Sequence, residues 1–294
     1  MRFWTWLAVV VVLVAGVGAA LYLLRPVEGP KRDLTLVGDA ARGQYLIRLG
    51  DCVSCHTDSK NGVAEFGGGP ALATPFGTFY APNITPHPEA GIGGWTLGQF
   101  ARAMSEGEGP QGHLYPTFPY ENYTLMSDQE IADLYAALKE VQPVATPSRP
   151  HEVNFPFNLR PALAGWKNLF FLPRRYEPDP ARSEQWNRGR YLVEGSGHCA
   201  MCHSPRNALG AIEAGRELSG NPGGGTGGKA PSLLAERLAE RGYDVASLAS
   251  ALSDGFTPDF NVLGGTMGEV IADGTSHWTD EDREAVARYL LGAE

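Results

Sequence analysis

The chain has 294 residues, 43% of them hydrophobic and 19% charged, which is long enough for two ordinary domains and too apolar for a disordered polymer. Beyond Arg25 it carries 22 basic against 33 acidic residues, a net charge of −11. That balance argues against nucleic-acid binding and against broad adhesion to anionic lipid, and permits docking onto a basic partner patch.

Residues 3–24 carry no charge, and as a helix they would measure about 33 Å, close to the hydrocarbon thickness of a bilayer. Trp4, Trp6 and Tyr22 sit near the two ends, where interfacial aromatics belong. Gly18 and Ala20 would suit a cleavable signal peptide, but the apolar run continues through Leu24, past the roughly 7–15 residues such a signal uses. The segment therefore reads as an uncleaved transmembrane anchor. Arg2 on one side and Arg25, Lys31 and Arg32 on the other leave its orientation open.

Asp39 is placed to cap a helix running toward Cys52, with Tyr45, Leu46 and Leu49 at helical spacing. The helix leads into Cys52-Val53-Ser54-Cys55-His56. Two thiols three residues apart on one helical turn can each add to a vinyl group of one porphyrin, and the adjoining His56 then faces the iron. Bare Cys-x-x-Cys could equally hold zinc or act as a redox dithiol. The trailing histidine favours haem c, and so does recurrence of the pentad as Cys199-Ala200-Met201-Cys202-His203, which leaves no cysteine elsewhere. Haem c is attached outside the cytoplasm, so the body is expected in the periplasm, held by a single pass of the bacterial inner membrane.

Residues 67–88 are rich in Gly and Pro and read as loops with a small hairpin around Thr78-Phe79-Tyr80. Thr96 with Gln99, and Ser127 with Glu130, are capping boxes. The first opens a helix to about Ser105 whose apolar side, Phe100, Ala103 and Met104, suits core packing; the second opens a helix carrying Ile131, Leu134, Tyr135 and Leu138. Together these elements make a first domain over 36–142.

Eight prolines crowd residues 143–180, which marks an inter-domain linker. Within it, 161–171 is strongly apolar and is expected to pack between the domains or to offer a partner-binding surface. A second domain over 181–294 then repeats the plan: Arg188-Gly189-Arg190-Tyr191-Leu192 echoes Arg42-Gly43-Gln44-Tyr45-Leu46, and Ala230-Pro231 answers Ala81-Pro82. Thr279 with Asp282 caps a last helix. The expected fold is all-α: two tandem class I cytochrome c domains after a transmembrane helix, each holding one covalent haem c.

His56 and His203 are the expected proximal ligands. A methionine thioether opposite each would raise the potential and close the iron to other ligands. Met267, in the Gly264-Gly265-Thr266-Met267-Gly268 loop, is the candidate for the second iron, since Met201 lies inside the pentad. For the first iron the candidate is Met126, directly before a helix cap, with His113 as runner-up. Asn83-Ile84-Thr85 and Asn122-Tyr123-Thr124 match glycosylation acceptors only as short patterns. The glycine run 223–229 imitates a phosphate loop, but Ala230 replaces the hydroxyl residue and Pro231 spoils the helix that should follow. No acid, base or nucleophile constellation is visible.

Several stretches carry a resemblance: Ala81-Pro82-Asn83-Ile84-Thr85, Gly91-Ile92-Gly93-Gly94-Trp95, His113-Leu114-Tyr115-Pro116, Phe155-Pro156-Phe157-Asn158-Leu159-Arg160 with Ala164-Gly165-Trp166, and Trp186-Asn187-Arg188-Gly189. From Asp39 onward the chain resembles the cytochrome c subunits of bacterial membrane-bound dehydrogenases of the gluconate and alcohol dehydrogenase type. Those subunits usually carry three haem domains, and this chain has two pentads. The resemblance implies an electron-transfer subunit rather than an enzyme, taking electrons from a periplasmic dehydrogenase subunit and passing them to quinone, a soluble cytochrome or an oxidase. It also implies that a methionine directly before a Ser/Thr-Asp helix start is the distal ligand, which favours Met126. The alternatives are a dihaem peroxidase with an open sixth site in the first domain, and a cytochrome subunit of a terminal oxidase.

Overall fold

The computed structural model describes residues 2–223 and 228–294. It begins with α1 (Arg2–Leu23), whose described side chains are exposed up to its last turn, where the later helix Ala162–Phe170 packs on it, and which is long and apolar enough to cross a membrane. Helix α2 (Ala40–Leu49) starts where expected, because the Asp39 carboxylate accepts the amides of Ala41 and Arg42. The first pentad forms α3 (Cys52–His56), and the hairpin is β1 (Ala71–Thr74) with β2 (Gly77–Tyr80). Both capping boxes are made, opening α4 (Leu97–Glu106) and, after β3 (Glu108–Gly109), β4 (Gly112–His113) and α5 (Tyr120–Tyr123), α6 (Asp128–Glu140). The linker holds β5 (Glu152–Val153) and α7 (Ala162–Phe170). Beyond it lie α8 (Glu184–Glu194), the second-pentad helix α9 (Ala200–His203), α10 (Ala235–Glu240), α11 (Val245–Asp254), α12 (Thr266–Asp273) and α13 (Asp280–Leu291).

The echo between the halves is structural. Helix α2 packs on α6 and α8 packs on α13, each pair crossing at the glycine of the repeated Arg-Gly. A Cβ on Gly43 would lie 2.0 Å from the Asp133 carbonyl oxygen, and one on Gly189 would lie 1.9 Å from that of Ala285. No other residue allows these backbones so close. The arginine beside each glycine grips the partner helix: Arg42 bonds Asp133 at 2.7 and 3.0 Å, and Arg188 bonds Asp282 twice at 2.7 Å. Helices α4 and α11 pack on α6 and α13. Buried residues of the two halves, from Leu46 and Ile131 to Leu192 and Val286, form one continuous cluster.

Two expectations need correction. The fold is helix-rich but not all-α, since β5 adds to β2 to make a three-stranded antiparallel sheet, and β3 pairs with β4. The Pro-rich linker is held extended, so its amides are free to pair with a sheet edge. Gly77 (φ +129°) permits the approach, for a Cβ there would sit 2.3 Å from the Glu152 carbonyl oxygen. Met267 is not in a loop; it lies in the first turn of α12, after Gly265 reverses the chain at φ +60°. Of the 223–229 run, residues 224–227 lie outside the described residues, while an Asn221–Ala230 bridge closes the segment around them. Asn83 is no glycan acceptor in this fold: it is buried, its amide donating to the Val144 and Thr146 carbonyls. Asn122 is buried too, bonded to the Glu194 carbonyl at 2.6 Å.

Candidate haem-attachment sites

Each pentad is delivered by the helix before it through one left-handed residue, Asp51 (φ +48°) or His198 (φ +39°). The chain then makes a single helical turn and leaves extended at Thr57 or Ser204. Such a turn sets the two thiols and the imidazole along one side of the segment.

The histidines are oriented alike. His56 Nδ1 lies 2.7 Å from the Pro82 carbonyl oxygen, and His203 Nδ1 lies 2.7 Å from that of Pro231. This is what the repeated Ala-Pro does: a carbonyl acceptor fixes Nδ1 as the protonated nitrogen and leaves Nε2 free to ligate. Burial lowers the pKa of both imidazoles, which suits neutral ligands.

The donor set separates the readings of Cys-x-x-Cys. Desolvation pushes the thiols of Cys52 and Cys199 up to about 12 and raises that of Cys202. A redox dithiol needs the opposite, a depressed thiol. Among the described residues no three His, Cys, Asp or Glu side chains converge as zinc would require. The four cysteines form no disulfide, Cys55 is exposed and the other three are partly so. Two spread thiols beside an oriented imidazole suit a flat macrocycle.

The two pentads are neighbours. Cys55 lies within electrostatic reach of Cys202, and Asp51 acts on both. His198 Nε2 is 3.2 Å from the Gly50 carbonyl oxygen, and the Tyr123 hydroxyl donates to the same oxygen at 2.9 Å. The rings of Tyr123 and His198 meet edge to face at 5.7 Å.

The cytochrome c family model matches residues 40–142. A dihaem cytochrome c-type protein of Cereibacter sphaeroides is 43% identical over 285 residues, covering 95% of this chain and 94% of that protein. The chain belongs to the dihaem c-type cytochromes. Such a cytochrome carries two covalently bound haem c groups. It is also 44% identical to a nicotinate dehydrogenase subunit of Pseudomonas putida over 255 residues, 86% of this chain but 21% of that one. The alcohol dehydrogenase (quinone) cytochrome c subunit of Gluconacetobacter polyoxogenes is 35% identical over 273 residues, 90% of this chain and 57% of the relative. The cytochrome thus spans nearly all of the first relative and only part of the other two.

The methionines of this dihaem cytochrome separate by setting. Met104 is core, as its helix face implied. Met201 is buried, and Arg206 donates to its backbone oxygen and its sulfur. Met126 occupies the turn between α5 and α6, 2% exposed, its amide bonded to the Tyr123 carbonyl and its carbonyl to Arg32 at 2.5 Å. Met267 is half-buried on α12, which packs against α3 and so brings the second half onto the first pentad. There Lys60 meets Glu269 at 2.7 Å and the Ser54 hydroxyl reaches Asp273 at 3.4 Å. His113 sits apart, with Nδ1 3.6 Å from a Glu108 carboxylate oxygen and its nearby charges on Lys167, Glu108 and Arg102.

Three ionisable residues whose titration burial shifts strongly went unread in the sequence. Asp51 is buried with its carboxyl raised to about 7 by desolvation, despite a 2.5 Å hydrogen bond from Ser54. Burial likewise raises Glu121 on α5 to about 7, opposed by Arg206. Lys167, 1% exposed, donates to the Glu106 and Gly107 carbonyls at the end of α4, each at 2.8 Å. An Asp directly before a Cys-x-x-Cys turn was the one available signal.

Proposed function

We propose that this dihaem cytochrome relays electrons from a partner periplasmic dehydrogenase to a respiratory acceptor: quinone, a soluble cytochrome or an oxidase. Residues 36–142 and 181–294 act as two class I cytochrome c domains joined by 143–180. Helix α1 anchors them to the outer face of the bacterial inner membrane. Cys52 with Cys55 and Cys199 with Cys202 hold the two haems by thioether bonds, His56 and His203 ligate from the proximal side, and Met126 and Met267 from the distal side. Bound haem supplies one-electron iron chemistry; the chain supplies spacing, orientation and burial.

The observation that carries this reading is the adjacency of the pentads, with His198 bonded to the Gly50 carbonyl at 3.2 Å and its ring against Tyr123 at 5.7 Å. A relay needs its two carriers side by side on a rigid frame. The reciprocal contacts of α2 with α13 and of α8 with α6 supply that frame. Neutral histidines suit a group that changes charge without proton chemistry at its own ligands.

The test is to purify the protein from solubilised membranes and identify what comes with it. A flavin, quinone-cofactor or molybdenum dehydrogenase whose substrate reduces both haems supports the relay. A haem-copper subunit would make it an oxidase component, and peroxide turnover at a high-spin haem would make it a peroxidase.

A further inference from the structure

The linker helix α7 is apolar on two sides. Leu163 and Ala164 face inward, with Leu163 packed near Phe79 and Tyr115. Ala162, Trp166 and Leu169, at i, i+4 and i+7, form a second apolar stripe that the body covers only at Trp166, whose indole N–H donates to the Leu209 carbonyl at 2.9 Å, while Leu169 is 58% exposed. Phe155 (77% exposed), Leu159 and Leu172 (78%) extend this stripe on either side of the helix. An uncovered stripe of this size calls for an occupant.

Its position says which. Helix α7 packs on the last turn of α1. The Asn168 amide donates to the Leu23 carbonyl at 3.0 Å and the Arg25 carbonyl at 2.9 Å, while Arg25 Nε donates back to Asn168 Oδ1 at 2.8 Å. The uncharged run ends at Leu24, and its length of about 33 Å matches the hydrocarbon core, so the Leu23–Arg25 junction falls at the bilayer boundary. A helix clasped to that junction lies at headgroup depth. The charge there is reversed too: residues 149–175 carry five basic side chains and one acidic, in a body that is strongly acidic overall. Lys167 is buried, Arg175 is paired with Asp128 and Arg174 with Glu194, which leaves Arg149 and Arg160 of this segment to join Arg25.

We propose that the outward stripe of α7, with Phe155, Leu159 and Leu172, is seated in the outer surface of the lipid bilayer beside the exit of α1, fixing the height and tilt of the haem-bearing body. This rests on the reading of α1 as a membrane anchor. Aromatic and aliphatic side chains with flanking arginines are the composition that the interface retains.

The test uses the full-length holoprotein in nanodiscs of phosphatidylethanolamine and phosphatidylglycerol, with single nitroxide labels at Leu169→Cys, Leu172→Cys, Val12→Cys and Glu236→Cys. The ratio of accessibility to oxygen over accessibility to a water-soluble nickel chelate is read by electron paramagnetic resonance. The expected result is a ratio several-fold higher at 169 and 172 than at 236. A lipid-like label at 12 with water-like labels at 169 and 172 overturns the proposal and leaves the anchor standing. Water-like labels at 12, 169 and 172 overturn both.

Discussion

The hydroxyl of Tyr45 on α2 donates to the carboxylate of Asp282 on α13 at 2.7 Å, across 237 positions of sequence. The bond has a counterpart running the other way, from Tyr191 on α8 to Glu130 on α6 at 2.8 Å. Tyr45 and Tyr191 hold the same place in the repeated Arg-Gly-x-Tyr-Leu, and Glu130 and Asp282 are each three residues past a helix cap. Each half therefore closes a helix start of the other, as two subunits would across a two-fold axis. Burial opposes the charge on Asp282, and the Arg188 guanidinium overrides it and holds the carboxyl below its usual range. Tyr45→Phe and Tyr191→Phe are each expected to cost about 1.5–3 kcal/mol in urea unfolding, the range for a hydrogen bond to a charged group. Loss of one half's haem environment alone, with the other unaffected, would show that the halves are not so coupled.

The crossing glycines give a sharper stability test. Gly189→Ala would force a Cβ to within 1.9 Å of a backbone oxygen, so α8 and α13 must separate. The expected loss is about 3 kcal/mol, at the upper end for overpacking, with less holoprotein recovered. Gly264→Ala, with nothing within 4 Å of its added Cβ, is the matched control and should leave thermal unfolding unchanged.

Asp51 sets a pH dependence whose sign follows from its burial. Its carboxyl titrates near 7 when folded and near 3.8 when unfolded, so between those values the folded chain holds a proton that the unfolded chain has lost. Its contribution to stability is full below about pH 4 and falls as pH rises through the folded value. Ser54 faces it through a hydrogen bond, Arg48 opposes the shift, and Asp273 and Glu269 reinforce it. Asp51→Asn, which tolerates the left-handed backbone, should flatten the pH 4–7 slope of urea unfolding. Because a carboxylate beside the first pentad favours ferric iron, the same variant should also remove a fall in that haem's midpoint potential between pH 6 and 8. An unchanged slope in both measurements would place the titrating group elsewhere.

Lys167 is a further buried charge. Removing its ammonium as Lys167→Met strands the Glu106 and Gly107 carbonyls at the end of α4, with an expected cost of about 1–3 kcal/mol. Burial lowers its folded pKa to about 8. Between about pH 8 and 10.5 the unfolded chain holds the extra proton, so this residue's contribution grows with rising pH, and the variant should lose that increment.

Much of this arrangement is legible in the sequence because it is local. The pentads, the Asp39 cap, the two capping boxes and the Thr279 cap each depend on residues within a turn of one another, and all form as read. The repeated Ala-Pro could be noticed but not interpreted until the carbonyls of Pro82 and Pro231 were found on the histidines. What stayed hidden depends on residues far apart in the chain. The Tyr45 and Tyr191 bonds, the seating of α12 on α3, and the pairing of β5 with β2 all join segments that carry no mutual signature. Met267 misled for a related reason, since the glycines around it look like a loop while only Gly265 serves as the reversal before α12.

The most direct measurement is the haem content and spin state of the purified protein, taken with the double variants Cys52→Ala/Cys55→Ala and Cys199→Ala/Cys202→Ala. Expected are two covalent haems per chain, both low-spin with the near-infrared absorbance of methionine-ligated ferric iron, and one haem in each variant. A colourless or zinc-bearing protein, or a single haem that survives both variants, would contradict the assignment of the two pentads.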